Sequence, residues 1–169
     1  DHELRHPVVE PDGIGRPAQN ILVEQGDEGR VVERRRRRGD EELSLMAEAG
    51  VAAAKQALDN AGLTAADIDA VICSATSMQR TYPCMAIEIQ DALGVSGFGY
   101  DMSVACSSGT FGLSNAAQLI ETGMARRVLL VTPEITTPQL NFRDRDSHFI
   151  FGDVAVAMIL EDQDLTDQG

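Results

Sequence analysis

The sequence predicts an α/β fold in which a sheet lies between two layers of helix. Three observations predict it. First, helix-period stretches and short apolar runs follow one another in the order helix, strand, helix, strand, helix, strand, strand, the pattern of a layered α/β domain. Second, Asp69-Ala-Val-Ile-Cys-Ser-Ala-Thr76 lacks the polar alternation of a half-exposed strand, so it belongs inside a sheet covered on both faces. Third, aromatic residues make up only 4% of the chain and Trp is absent, so small aliphatic side chains must fill the core, as where helices lie close on a parallel sheet. A length of 169 residues fits one domain, and 43% hydrophobic residues can fill a sizeable core.

Residues 1–40 differ from the rest. They are polar, rich in glycine and charge, and lack sustained periodicity, with a turn signal at Pro11-Asp-Gly13. Val8-Val9 and Ile21-Leu-Val23 suit short edge strands. The five arginines Arg34 to Arg38 suit either a phosphate-binding patch or a solvated charge run paired with Glu33, Asp40, Glu41 and Glu42. From Asp40 or a neighbour, apolar residues at helical spacing (Leu43, Met46, Ala47, Ala53, Ala54, Leu58) predict a helix to about Asn60, stopped by Gly62. Thr64-Ala-Ala-Asp67 reads as a short capped turn. The apolar strand follows, with Cys73 as core filling. Ser77–Pro83 is a loop, and Pro83 suits the first position of a helix to Leu93. That reading puts Cys84 in the first helical turn, as a second candidate for an activated thiol. Gly94-Val-Ser-Gly-Phe-Gly99 is a linker; a strand follows it, so it is not a dinucleotide fingerprint.

The stretch Gly99-Tyr-Asp-Met-Ser-Val-Ala-Cys106-Ser-Ser-Gly-Thr-Phe-Gly-Leu113 begins as a short buried strand and ends in a helix reaching Thr122. Cys106 thus sits at a strand-to-helix turn among small residues, where the helix N-terminus favours a thiolate. Two readings apply: a nucleophile on an elbow, or an inert buried cysteine at a tight turn. Arg127–Thr132 is a further buried strand. Pro133–His148 is a polar loop carrying Arg143, Asp144, Arg145 and Asp146. Phe149 onward turns at Gly152-Asp153 into a last strand, and Glu161–Gly169 is an acidic exit.

Composition excludes several functions. A net charge of −13 argues against a nucleic-acid partner. Three cysteines (Cys73, Cys84, Cys106) without a framework spacing argue against a disulfide scaffold and for a reducing compartment. No run approaches the ~20 apolar residues of a membrane span, and the charged N-terminus is no signal peptide, so a cytoplasmic location is expected. No metal set emerges from His2, His6 and His148, and no phosphate-binding loop or other cofactor motif is present.

From about Glu42 to Asp162 the sequence resembles the β-ketoacyl-acyl carrier protein synthase III family, within the thiolase-like fold. The resemblance rests on four motifs in order: Asp67-Ile-Asp-Ala-Val-Ile-Cys-Ser-Ala-Thr76; Tyr82-Pro83 with a helix ending in Ala92-Leu-Gly94; Tyr100-Asp-Met-Ser-Val-Ala-Cys106-Ser-Ser-Gly; and Phe151-Gly-Asp-Val-Ala-Val-Ala157. It implies that residues 41–169 form about one half of a thiolase-like fold, the N-terminal half, after an irregular segment 1–40. It also implies a reaction. Cys106 attacks an acyl-CoA and holds the acyl group, its backbone N–H helping to form an oxyanion hole. Malonyl on an acyl carrier protein then loses CO2 and attacks that acyl group.

By the same resemblance Arg145 lies near the CoA phosphates, Phe151 lines the pocket near the thiol, and Tyr82 reaches the acyl pocket of a partner subunit. The residues alone leave blander roles open: a salt bridge of Arg145 to Asp144 or Asp146, core packing for Phe151, and a loop aromatic covering the domain edge for Tyr82. Departures from the family pattern shape the expectation further. No segment matches the family's catalytic His and Asn, its CoA-stacking Trp or the Gly-x-Gly signal of its first strand. Condensation by this chain alone is therefore not expected. What is expected instead is a homodimer, a second polypeptide supplying the other half, or a longer enzyme of which this chain is a fragment. A non-condensing acyltransferase and a structural subunit with an inert Cys106 remain the alternatives.

Overall fold

A computed structural model of the chain describes residues 18–22 and 43–166. Five strands form one sheet: β1 (Ala18–Leu22), β2 (Ala70–Ser74), β3 (Phe98–Met102), β4 (Arg127–Glu134) and β5 (Val154–Glu161), in the spatial order β1-β5-β4-β2-β3. β2 runs parallel to both β3 and β4, while β5 is antiparallel to β4 and to β1. The helices are α1 (Leu45–Ala61), α2 (Met85–Leu93), α3 (Ser108–Glu121) and the single turn α4 (Gln163–Thr166).

Strand alternation sorts the apolar residues into two layers. Val71, Cys73, Leu129, Val131, Ala155, Ala157 and Ile159 meet α1 and α2, through Met46, Ala53, Ala57, Met85 and Ile89. Ala70, Ile72, Val128 and Leu130 face the other way, onto Ala116 of α3. Every residue of β2 is buried, because this strand has a neighbour on each side and a helix layer on each face. The predicted helix, sheet, helix layering is thus present, with the predicted order of elements from α1 to β5.

Local chemistry sets the boundaries and corrects several expectations. α1 starts at Leu45 rather than near Asp40, because Ser44 is its N-cap: the Ser44 hydroxyl accepts the Ala47 N–H at 3.2 Å. Leu43 therefore lies ahead of the helix and is exposed rather than on its apolar face. Gly62 ends α1 in the left-handed conformation at φ 67, as the sequence predicts. The Thr64–Asp67 turn is also as predicted, with the Asp67 carboxylate accepting the Thr64 N–H at 2.8 Å and its hydroxyl at 2.7 Å.

α2 starts at Met85, two residues after Pro83, and Cys84 is its N-cap rather than part of its first turn. The carboxylate of Asp101, on β3, accepts the Met85 and Ala86 N–H groups at 2.8 and 2.7 Å, so this helix is capped from a neighbouring strand. Pro133 belongs to β4 rather than to the following loop; β4 continues to Glu134, paired with Val154.

β3 is less buried than expected, with Phe98 exposed and the rest half-buried. Among the described residues it occupies one edge of the sheet and pairs on one side only. β1 occupies the other edge, and Ile21 and Leu22, expected in a short edge strand, lie in it. It is the described part of the segment expected to be irregular. Val8-Val9 and the Arg34–Arg38 run lie outside the described residues.

Gly97 is required where β3 begins: a Cβ there would sit 1.9 Å from the backbone oxygen of Asp69. Backbone on both sides leaves no flexible group to yield. Gly97→Ala is expected to destabilise the fold by about 3 kcal/mol, measured as a fall in urea midpoint at unchanged slope.

Candidate active site

Strand direction gathers the candidate residues at one edge of the sheet. β2, β3 and β4 are parallel, so the segments leaving their C-terminal ends emerge together, where open α/β sheets carry their ligands. Tyr82 lies in the loop after β2, Cys106 in the turn after β3, and Arg145 and Phe151 in the connection after β4. β5 re-enters at the same edge, because Val154 is opposite Glu134.

The turn after β3 is an elbow held by a compact set of bonds. Ala105 adopts φ 47, a left-handed conformation that a side chain disfavours. The Ser107 N–H donates to the Val104 carbonyl at 3.1 Å, and the Ser108 N–H to the Ala105 carbonyl at 3.0 Å. The buried Ser108 closes the elbow: its hydroxyl accepts the Val104 N–H at 2.8 Å, and its carbonyl accepts the Ser74 hydroxyl at 2.6 Å. α3 reaches this position because Gly112 presses onto the sheet, where a Cβ would come within 2.7 Å of Leu130 Cδ1 and 3.2 Å of Ser74 Cβ. Cys106 stands between the strained Ala105 and the start of α3, exposed to solvent. The reading of this cysteine as buried at a tight turn is therefore incorrect.

The other two cysteines differ from it. Cys73 is fully buried on β2, and burial pushes its thiol far above the ordinary range, with the nearby Asp101 carboxylate adding to the effect. It is core filling, as its apolar run predicts. Cys84 is half-buried at the N-cap of α2, but the first amides of that helix already bind the Asp101 carboxylate. The positive helix end is thus satisfied within the protein.

The loop from Thr76 to Pro83 is tied to the elbow at its base. The Ser103 hydroxyl donates to the Thr76 carbonyl at 3.2 Å, and the Thr76 N–H donates to Glu134 Oε1 at 2.6 Å. At the far end of the loop Tyr82 is 93% exposed, ahead of a cis peptide bond to Pro83. Residues Met78 to Pro83 line an open depression of about 400 Å³. Tyr82 thus covers no part of the domain edge.

Arg145 is exposed and forms no ion pair with Asp144 or Asp146, both described. Asp144 instead accepts the Ser147 hydroxyl and the Asp146 N–H, bonds that hold its carboxyl below the ordinary range. Phe151 is 58% exposed and so is not core packing. Phe149 and Ile150 beside it are also exposed. Asp153 of the Phe-Gly-Asp motif anchors this segment: its carboxylate accepts the N–H groups of Thr136 and Thr137 at 2.7 and 2.8 Å and the Thr137 hydroxyl at 2.6 Å. The structure brings the four predicted residues to one edge with no direct bond among them. It adds Ser74, Ser108 and Asp153, supports that single-sequence patterning does not mark. Among the described residues no group of His, Cys, Asp and Glu side chains could hold a metal.

A profile of 3-oxoacyl-[acyl-carrier-protein (ACP)] synthase III matches residues 100–169, which include the elbow and the Phe-Gly-Asp motif. Over these residues the chain is similar to the 3-oxoacyl-[acyl-carrier-protein] synthase III family. The chain is 57% identical over 128 residues to the beta-ketodecanoyl-[acyl-carrier-protein] synthase of Pseudomonas aeruginosa, covering 76% of this chain and 37% of that protein. It is 40% identical over 144 residues to the beta-ketoacyl-[acyl-carrier-protein] synthase III of Agrobacterium fabrum, covering 83% of this chain and 44% of the relative. The crystal structure of 3-oxoacyl-[acyl-carrier-protein] synthase III from Aquifex aeolicus superposes with a TM-score of 0.68 at 28% identity, covering 72% of this chain and 40% of that one. The fold is thiolase-like, as the resemblance implies, and the chain spans about two fifths of the length of these relatives.

Alkylation tests the distinction among the thiols. Iodoacetamide at pH 8 is expected to modify Cys106 in the native protein and Cys73 only on unfolding, as read by peptide mapping. Ser108→Ala leaves the Val104 N–H without its acceptor; a loss of about 1–3 kcal/mol is expected, measured by urea denaturation.

Proposed function

We propose that this chain carries the acyl-accepting site of a 3-oxoacyl-acyl carrier protein synthase III-type condensing enzyme of fatty acid biosynthesis. The observation that carries the proposal is the exposed Cys106 on an elbow whose preceding residue is strained into the left-handed region. Such strain at a nucleophile's turn holds the reacting atom clear of its own backbone.

In the proposed first step the Cys106 sulfur attacks the thioester carbonyl of an acyl-CoA. A new bond forms between Sγ and the acyl carbon, the bond to the CoA sulfur breaks, and the proton of the Cys106 thiol ends on the released CoA. Cationic Arg145 suits the CoA phosphates, and the exposed aromatic side chains of Phe151 and Tyr82 suit the acyl chain. In the second step malonyl on the carrier protein loses CO2, its carbanion attacks the acyl carbon, and the Cys106 sulfur leaves as thiolate. Enolate stabilisation falls to groups outside these motifs, because no segment of the sequence matches the family's His and Asn. Acyl transfer is the step assigned to this chain. Association, with a copy of the chain or with a segment carrying the other half, is supported by the outer side of β3, which is unpaired among the described residues. Three free thiols and a CoA substrate suit a cytoplasmic setting.

The Pseudomonas relative is named for a ten-carbon β-keto product. Decarboxylated malonyl adds two carbons, so the primer of choice here is an eight-carbon acyl-CoA. Intact mass after incubation with acyl-CoAs of graded length is expected to show one acyl group per chain, fastest for eight carbons. Cys106→Ala should show none. Acylation that persists in the variant would refute the assignment of the nucleophile.

A further inference from the structure

Three polar groups of Ser108 are each fastened. Its N–H donates to the Ala105 carbonyl at 3.0 Å. Its hydroxyl accepts the Val104 N–H at 2.8 Å, and its carbonyl accepts the Ser74 hydroxyl at 2.6 Å. Ser74 and Ser108 are 1% and 3% exposed. Ser74 ends β2, a strand paired on both sides, so its hydroxyl is a fixed point. It is also the one hydroxyl in a strand that otherwise reads Ala-Val-Ile-Cys. The Cys106 N–H, between these ties, has no backbone acceptor among the described residues.

We propose that Ser74 is a positioning residue for acyl transfer: through Ser108 it aims the Cys106 N–H at the oxygen of the reacting thioester. The proposal deepens the acyl-transfer reading and rests on it. A peptide unit is planar and trans, so the Ala105 carbonyl and the Cys106 N–H point opposite ways from one plane. Holding the carbonyl aims the N–H. The Ser108 N–H holds that carbonyl, and Ser74 holds Ser108. The plane needs the hold because Ala105, at φ 47, has a conformation that its side chain disfavours. The Ser108 hydroxyl pins Val104 on the other side of that residue, so the strained unit is gripped at both ends by one serine. Ser74 thus acts on the amide beside the nucleophile. It bonds to Ser108 rather than to the thiol. As sulfur adds to the thioester, charge develops on the carbonyl oxygen. A donor already aimed there stabilises it without reorganising.

Two reactions of the same thiol separate this role from a structural one. Transfer from an acyl-CoA passes through a tetrahedral oxyanion, which an aimed N–H stabilises. Alkylation by iodoacetamide displaces iodide from carbon and builds no oxyanion. The full chain is given eight-carbon acyl-CoA, read by intact mass, and separately iodoacetamide, read by peptide mapping. Ser74→Ala is expected to slow acylation of Cys106 about tenfold while its alkylation stays within about twofold of wild type. Ser108→Ala, which releases Val104, is expected to act in the same way. Ser107→Ala removes an exposed hydroxyl that makes no cap bond, and both rates should match wild type. The buried Cys73 reports folding in the same digest, since its alkylation marks unfolded chain. Should Ser74→Ala expose Cys73, the comparison made on Ser108→Ala decides. Unchanged acylation in a folded Ser74→Ala, or acylation and alkylation slowed by one common factor, overturns the proposal. A wild-type chain that iodoacetamide alkylates at Cys106 but no acyl-CoA acylates refutes the acyl-transfer reading itself, and the positioning role falls with it.

Discussion

The constraint on which the rest depends is the parallel pairing of β2 with both of its neighbours, β3 and β4. A strand paired on both sides and covered on both faces must carry apolar side chains or polar ones with a partner, and Ala70–Ser74 is fully buried with the Ser74 hydroxyl hydrogen-bonded. Parallel direction then forces every connection out of β2, β3 and β4 to the same edge. The loop with Tyr82, the elbow with Cys106 and the connection with Arg145 and Phe151 come together for that reason alone. No bond among these side chains is needed to gather them.

Small residues convert this topology into a usable site. Gly97 lets β3 start against the Asp69 backbone, and Gly112 lets α3 lie down on Leu130 and Ser74. With the helix at that depth, Ser74 reaches the Ser108 carbonyl and the Ser108 hydroxyl reaches Val104. The elbow is fastened to the buried centre of the sheet by hydrogen bonds rather than by apolar packing. Its strained residue, Ala105, is held in place from both sides. Cys106 can then be exposed without being loose, which is what a nucleophile requires.

Charged groups do similar work away from the elbow. Asp101 caps α2, Asp153 holds the turn after β4, and Glu88 joins Ser44 to Arg80. In each case a carboxylate from one element satisfies the amides, hydroxyls or guanidinium of another, over sequence separations of 8 to 44 residues. Sequence periodicity is blind to such pairs, since it registers neighbours on one element and not partners across two.

The sequence by itself determined the layering, the order of elements, the buried β2 run, the Gly62 stop and the placing of Cys106 at a strand-to-helix turn. Each follows from local spacing or from a residue's own conformational preference. It misjudged boundaries where a distant partner decides: Ser44 rather than Asp40 starts α1, and Asp101 caps α2 beyond Pro83. It overestimated the burial of β3, because a strand's position in a sheet is set by pairing and not by its own composition. The apolar run around Cys73 predicts that it is sealed, but only the tertiary structure decided that Cys106 is open. Both are cysteines in small-residue surroundings, and what separates them is which element covers each. The same holds for Arg80 and Arg145. The sequence presents two loop arginines, and the fold alone pairs the first with a buried glutamate and leaves the second exposed without an Asp144 or Asp146 partner.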